Sequence, residues 1–151
     1  VAHSFSGVYV HVIFSTKNRQ PFLTNGDFRQ DVHRYLGGIA GRVDCDPLIV
    51  GGVEDHVHLL LHLGRTVAIA DVVRELKRGS TKWIREHSPV FRRFQWQSGY
   101  VAVSVSFREI SGVRTYIANQ AEHHAKRSFQ DEYRAIFKKH GIEADETYMW
   151  E

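Results

Sequence analysis

The chain has 151 residues, of which 42% are hydrophobic and 25% charged, with a net charge of +3 and a pI near 9.1. This length and composition predict a single globular domain over 1–151 with a core of its own, and exclude a disordered or fibrous chain. No apolar run approaches the roughly 20 residues that a bilayer span needs, so no membrane partner is expected. Val1 to Phe5 lacks the basic and apolar regions of a signal peptide. Cys45 is the sole cysteine and cannot form an internal disulfide, which fits a reducing cytoplasm. The mildly basic balance is compatible with a nucleic-acid partner.

Val8 to Phe14 is β-branched and aromatic and predicts a buried strand. A basic turn, Ser15 to Pro21, carries Lys17 and Arg19. Thr24 or Asn25 caps a helix running to about Ala40, with Phe28, Val32, Tyr35, Leu36 and Ile39 at helical spacing. Pro47 to Val53 predicts a second strand and Asp55 to Leu63 a third, and the short connection between them makes a hairpin. A helix over Val67 to Arg85 gathers Ile69, Val72, Val73, Leu76, Trp83 and Ile84 on one side and Arg74, Lys77, Arg78, Lys82 and Arg85 on the other. The basic side reads as a solvated face or as a phosphate-contacting one. Gly79-Ser80 in mid-helix marks a bend or a close approach.

Ser88 to Gly99 predicts irregular chain in which Phe91, Phe94 and Trp96 interleave with arginines and glutamines. That pattern suits stacking on single-stranded bases or inward packing of a loop. Tyr100 to Val105 predicts a fourth strand. A helix over 107–126 follows, opened by the capping box Ser106-x-x-Glu109 and carrying Ile110, Val113, Ile117, Ala121 and His124 as its core stripe. Tyr116 lies at the stripe's edge, with Gln120 one turn on. A last helix spans Ser128 to His140, and the tail through Tyr148, Met149 and Trp150 is expected to pack back onto the domain. The order predicts an α+β, ferredoxin-like (split βαβ) antiparallel sheet with helices on one face, the third strand in its centre and a C-terminal tyrosine-bearing helix added.

His56-Val57-His58 is the first candidate for chemistry. Residues two apart in a strand share a face, so the two imidazoles stand together while Val57 and Leu59 point the other way. The pair reads as two polar-face histidines or as two ligands of one divalent metal. Tyr116, taken alone, reads as a core-edge aromatic whose hydroxyl takes any partner. His123-His124 lack a metal spacing, and Cys45 sits among acids and reads as structural. One cysteine without a Cys₂His₂ spacing disfavours structural zinc. No Gly-rich phosphate loop is present, so no nucleotide cofactor is expected.

Four pieces together carry a family resemblance: Phe14-Ser15-Thr16-Lys17; Gly51-Gly52-Val53-Glu54-Asp55-His56-Val57-His58-Leu59-Leu60; Phe94-x-Trp96-Gln97-x-Gly99-Tyr100; and Tyr116-Ile117-x-Asn119-Gln120-x-x-His123-His124. In this order and at these separations the chain resembles the single-tyrosine transposases of small bacterial insertion sequences (insertion-sequence 200/605-like, including REP-associated tyrosine transposases), which belong to the HUH nuclease class. The likeness runs from about residue 8 to the C-terminus. It implies Mg²⁺ or Mn²⁺ held by His56, His58 and Gln120. It implies that Tyr116 is a nucleophile forming a 5′-phosphotyrosine link and freeing a 3′-OH on single-stranded DNA marked by hairpins. It also implies a homodimer, in which the tyrosine helix of one subunit can sit against the histidines of the other, and a bacterial, nucleoid-associated location in the cytoplasm. Lys17, Arg19 and the basic face of Arg74, Lys77, Arg78, Lys82 and Arg85 are the expected DNA contacts. Two other readings stand beside the transposase: a host-domesticated relative with the same chemistry, and a non-catalytic nucleic-acid-binding module. A mere binder need not keep His56, His58, Tyr116 and Gln120 together, which argues against the second.

Overall fold

The structure is a computed structural model that describes residues 3–149, the Tyr148 side chain excepted. Trp150 and that side chain, both named in the expectation for the tail, lie outside the described residues, whereas Met149 packs against the C-terminal helices. The strands are β1 (Tyr9–Ser15), β2 (Asp46–Gly52), β3 (His56–His62) and β4 (Val101–Val105). They form one antiparallel sheet in the order β2-β3-β1-β4, so the His-x-His strand is central, as expected.

Strict alternation along β1 and β3 sorts the sheet into two chemically distinct faces. Directly opposed residues share a face, and the β1–β3 register pairs His11 with Leu60, Ile13 with His58 and Ser15 with His56. His11, Ile13, His56, His58 and Leu60 therefore look out of one face, and Val10, Val12, Phe14, Val57, Leu59 and Leu61 out of the other. The second face carries the main core, covered by α1 (Gly26–Arg42) and α2 (Ile69–His87). Asn25 caps α1 by accepting the Phe28 N–H at 3.0 Å.

Gly79 proves to be a point of close approach between α1 and α2, because a Cβ there would lie 2.9 Å from Ile39 Cδ1. Beside it, Ser80 Oγ donates to the Leu76 carbonyl at 2.6 Å and accepts from Trp96 Nε1 at 2.8 Å. The 88–99 stretch packs inward. Phe94 and Trp96 are buried, and Trp96 meets Phe14 edge-on at 4.8 Å, which removes both rings from base stacking. Backbone bonds from Gln97 N–H to the Ser15 carbonyl (2.8 Å) and from Lys17 N–H to the Gln95 carbonyl (2.9 Å) tie this stretch to the end of β1.

The histidine face is covered by C-terminal helices. The expected single helix over 107–126 is broken into a 3₁₀ turn, Phe107–Glu109, then α3 (Ile110–Ala118) and α4 (Gln120–Lys126). The break falls at Asn119 (φ −103°, ψ 26°), a residue type whose side chain competes with the helical backbone. The capping box is only partly formed: Ser106 Oγ donates to Glu109 Oε1 at 3.1 Å and makes no bond to the backbone. α3 lies close over β2, where a Cβ on Gly51 would come within 2.7 Å of the Ile117 carbonyl oxygen. Then α5 (Phe129–His140) lies over β1 and β4, packing Phe129 and Tyr133 with Ile13, Val101 and Val103. Ser128 caps it by accepting the Asp131 N–H at 3.1 Å. A short α6 (Glu146–Met149) follows.

Candidate active site

β3 presents His56 and His58 side by side, both fully buried beneath α3, α4 and α5. Each ring is held at Nδ1. His56 Nδ1 donates to Asp55 Oδ1 at 2.7 Å, and His58 Nδ1 shares a 2.8 Å N–H···N bond with Nε2 of His11 on β1. The two Nε2 atoms are thereby turned toward one carboxylate, that of Glu132 on α5. Its Oε1 lies 3.1 Å from His58 Nε2 and 3.6 Å from His56 Nε2. Neither approach is aligned as a hydrogen bond, so His56 Nε2, His58 Nε2 and Glu132 Oε1 are all buried without a hydrogen-bond partner. The donor atoms of His56, His58 and Glu132 lie within 4.8 Å of one another, a group able to hold a metal ion.

The other carboxylate oxygen, Glu132 Oε2, accepts the Tyr116 hydroxyl at 2.6 Å and faces His124 Nε2 at 3.1 Å. Tyr116, on α3, is thus brought to the histidines within one chain. Gln120, the first residue of α4, is also buried. Its Nε2 reaches back 3.4 Å to the Tyr116 carbonyl, and its Oε1 has no hydrogen-bond partner.

Charge in this cluster follows from the packing. Burial alone would raise the Glu132 carboxyl, but His124, His56 and His58 outweigh it and hold Glu132 far below the usual carboxylate range. Burial would lower the His56 imidazole, yet Asp55 and Glu132 hold it above its ordinary value. His58 is lowered to about 4 and His11 to about 3, chiefly by burial. Burial, and then the bond to Glu132, push the Tyr116 phenol well up. In this arrangement Tyr116 is a protonated hydroxyl bonded to a carboxylate.

Glu132 is the residue that the sequence reading missed. Its signal is an acid standing on the apolar stripe of α5, between Phe129 and the pair Tyr133 and Ile136 at helical spacing. His11 and Asp55 were also missed, whereas His124, expected on the core stripe, joins the polar cluster through Glu132. His11 follows from register alone, two residues before Ile13, which faces His58.

The basic residues gather elsewhere. Lys17, Arg74, Lys77, Arg78, Lys82 and Arg85 line one open groove of about 1050 Å³ between α2 and the 15–19 and 95–98 segments. They are not equivalent. Lys77 Nζ donates to the Gln97 carbonyl at 2.7 Å and to the Gly99 carbonyl, and Arg85 Nε donates to the Phe94 carbonyl at 2.8 Å, so both pin the loop. Arg74 pairs with Asp71 and Arg78 with Glu75, each within one turn. Arg19 stands apart from the groove, its guanidinium 4.9 Å over the Phe129 ring.

A buried His-x-His on a central strand is joined by a carboxylate to a tyrosine on a helix over the same face, a group able to hold a metal ion beside a hydroxyl. The chain belongs to the IS200-like transposase family, whose profile matches residues 4–120. Two solved structures share the fold. One is a protein of Deinococcus radiodurans R1, provisionally assigned as a transposase, at 24% identity over 80% of this chain and 96% of that one, with a TM-score of 0.61. The other is a REP-associated tyrosine transposase bound to a REP hairpin, at 14% identity over 82% of this chain and 72% of that one, with a TM-score of 0.59. No curated protein matches the sequence. Glu132 lies beyond the matched stretch. Among the described residues no helix is long and apolar enough to cross a membrane.

Proposed function

We propose that this transposase cuts and rejoins single-stranded DNA at hairpin-marked ends, with Tyr116 as nucleophile and a divalent metal beside it. The observation that carries the reading is the set of buried, partnerless donor atoms on His56, His58, Gln120 and Glu132, together with a tyrosine hydroxyl bonded to the same carboxylate. A buried polar atom without a partner costs about 1–3 kcal/mol, so a cluster of them fits an ion rather than a packed interior.

His56, His58 and Glu132 would hold the metal, with Gln120 Oε1 a further oxygen donor nearby. Mixed imidazole and oxygen donors suit Mn²⁺ and, more weakly, Mg²⁺. Bound there, the ion would supply Lewis-acid polarisation of the scissile phosphate and of the leaving oxygen. The chain supplies the rest. Asp55 and His11 fix the rings at Nδ1, and a His58 that holds a metal at Nε2 would donate from Nδ1 to His11. Tyr116 Oη forms the bond to phosphorus, the P–O3′ bond breaks, and its electron pair leaves on O3′, which takes up a proton. The phenol proton leaves toward the Glu132 carboxylate that it already faces. The phosphotyrosine keeps the phosphodiester energy, so a second 3′-OH can reverse the step without a nucleotide cofactor.

The basic groove beside α2 is the proposed seat of the DNA hairpin, with Lys82 and Lys17 as its freest cations and Arg19 closer to the metal site. A homodimer and a place of action on cytoplasmic, nucleoid DNA complete the proposal. The test is to incubate labelled single-stranded DNA carrying the hairpins that flank the gene with Mn²⁺. A protein-linked band on a denaturing gel that chelator removes supports the reading. DNA binding with no covalent species at any metal concentration returns the protein to a non-catalytic binder.

A further inference from the structure

A cavity of about 380 Å³ opens on the side of Tyr116 formed by α3, the end of β4 and the last turns of α5. Its size lies within the roughly 300–1,000 Å³ of small-ligand sites. Tyr116 and the buried His11 form its inner wall, and Arg108, Arg127, Lys139 and His140 stand at its rim. Among the described residues Glu109 is the only acid lining it, and that carboxylate is taken up by Lys139 at 3.0 Å and by Ser106. Arg108 and Arg127 make no ion pair among the described residues, and Arg127 is near enough for its charge to act on the Tyr116 phenol. Gly112 lies on the same wall, one turn before Tyr116, and a Cβ there would meet nothing within 4 Å. That glycine is not required by packing or by backbone conformation, and its missing side chain leaves the cavity open.

Geometry fixes what has to pass this point if Tyr116 is the nucleophile, a reading on which the inference rests. The strand that stays on the enzyme hangs from the tyrosine by its 5′ phosphate, so its first nucleotide must lie against the tyrosine ring. Glu132 lies at the hydroxyl with His56 and His58 behind it, and the cavity is the open, basic space that also borders Tyr116.

We propose that this cavity is the seat of the first nucleotide 3′ of the cut, with Arg108 and Arg127 neutralising the phosphate that follows it. The ligand class is a 5′-phosphorylated deoxynucleotide strand, held by charge and by the apolar wall of Val113 and Ile136.

The probe is a pool of 5′-phosphorylated deoxydinucleotides dye-labelled at the 3′ end, with affinity read by fluorescence anisotropy. Gly112→Leu fills the cavity with a good helix former and is expected to weaken binding by about tenfold or more. Arg108→Ala with Arg127→Ala is expected to weaken binding and to flatten its salt dependence. Failure of the wild-type protein to bind the pool overturns the proposal, as does wild-type affinity in a Gly112→Leu variant that melts like wild type. The affinity readout needs no chemistry, so it fails independently of the nucleophile reading, whose own failure shows as a covalent adduct in Tyr116→Phe.

Discussion

Tyr116 donates its hydroxyl to Glu132 at 2.6 Å, across sixteen residues of sequence and from α3 to α5. The other oxygen of the same carboxylate lies between the imidazoles of His56 and His58. One side chain therefore joins the proposed nucleophile to the proposed metal ligands. Burial first, and then this neighbouring anion, hold the phenol protonated. An ion held by Glu132 would offset that charge, so metal binding would be coupled to the reactivity of the proposed nucleophile.

Tyr116→Phe keeps the ring that contacts His58 and His123 and removes only the hydroxyl. Covalent attachment to labelled single-stranded hairpin DNA in Mn²⁺ is expected to vanish while non-covalent binding stays within about twofold of wild type, since phosphate contacts dominate affinity. A denaturing gel reads the first quantity and a gel shift the second. An adduct that persists in the Phe variant places the nucleophile elsewhere.

Metal affinity should fall in two grades. His56→Ala, His58→Ala and Glu132→Ala each remove a proposed donor atom and are expected to abolish Mn²⁺ binding by calorimetry at micromolar protein. Asp55→Ala removes only the acceptor that fixes His56 Nδ1 and is expected to weaken binding by about 10–100-fold. Equal Mn²⁺ affinity in Glu132→Ala and wild type would take Glu132 out of the ligand set and leave Gln120 as the proposed oxygen donor.

Stability should fall on the acid side. His11, His33 and His58 are lowered to about 3, 4 and 4, mainly by burial. From near pH 6.5 downward the unfolded chain takes up protons that the folded chain refuses, so each contributes a loss of up to about 1.4 kcal/mol per pH unit. Glu132 has the same sign lower down: its depressed carboxyl stabilises the fold above the usual carboxylate range, and that contribution fades as pH falls below it. His56 is raised, so its contribution is fully present below pH 6.5 and is lost as pH rises through its folded value, which leaves it no role in the acid loss. Urea midpoints of the metal-free protein are expected to be lower at pH 5 than at pH 7, and a flat profile would contradict these assignments.

Within one chain Tyr116 and the two histidines meet on Glu132, so each subunit is expected to carry its own complete site. Mixing Tyr116→Phe protein with His58→Ala protein should then restore no adduct formation. Recovery of activity in the mixture would show that the tyrosine helix crosses to the histidines of a second subunit.

The sheet was legible because its signals are local. The short connection after Gly52 makes the β2–β3 hairpin, and the chain order of strands and helices places β3 in the centre of the sheet. Register also places His11 beside His58, though only once β1 and β3 are paired. Glu132 was hidden for a different reason. An acid on the apolar stripe of α5 announces a buried carboxylate, but nothing local says which helix face of the fold it will meet. The break at Asn119 was equally silent, because the hydrophobic period of the core stripe runs on across it from Ile117 to Ala121. In α2 the sequence showed five cations on one arc and could not separate those that bind the protein's own backbone from those left to solvent.

That separation yields the last prediction. Lys77 is half-buried, its ammonium donating to the Gln97 and Gly99 carbonyls above the Phe14 ring, and burial lowers it to about 8. Lys82, one turn and a residue further along α2, is exposed and has no ion pair among the described residues. Lys77→Ala frees two carbonyls and unpins the 94–99 loop, so it is expected to cost about 1–3 kcal/mol of stability. Its effect on DNA binding should then follow from the loosened loop rather than from one lost charge. Lys82→Ala should leave the melting temperature within about a degree of wild type, as surface changes do. It should weaken hairpin binding similarly for every sequence and reduce the slope of log affinity against log salt by about one. The discriminating result is the Lys82→Ala salt slope: if it matches wild type, the basic arc of α2 is a solvated face, and the hairpin must be held by another surface.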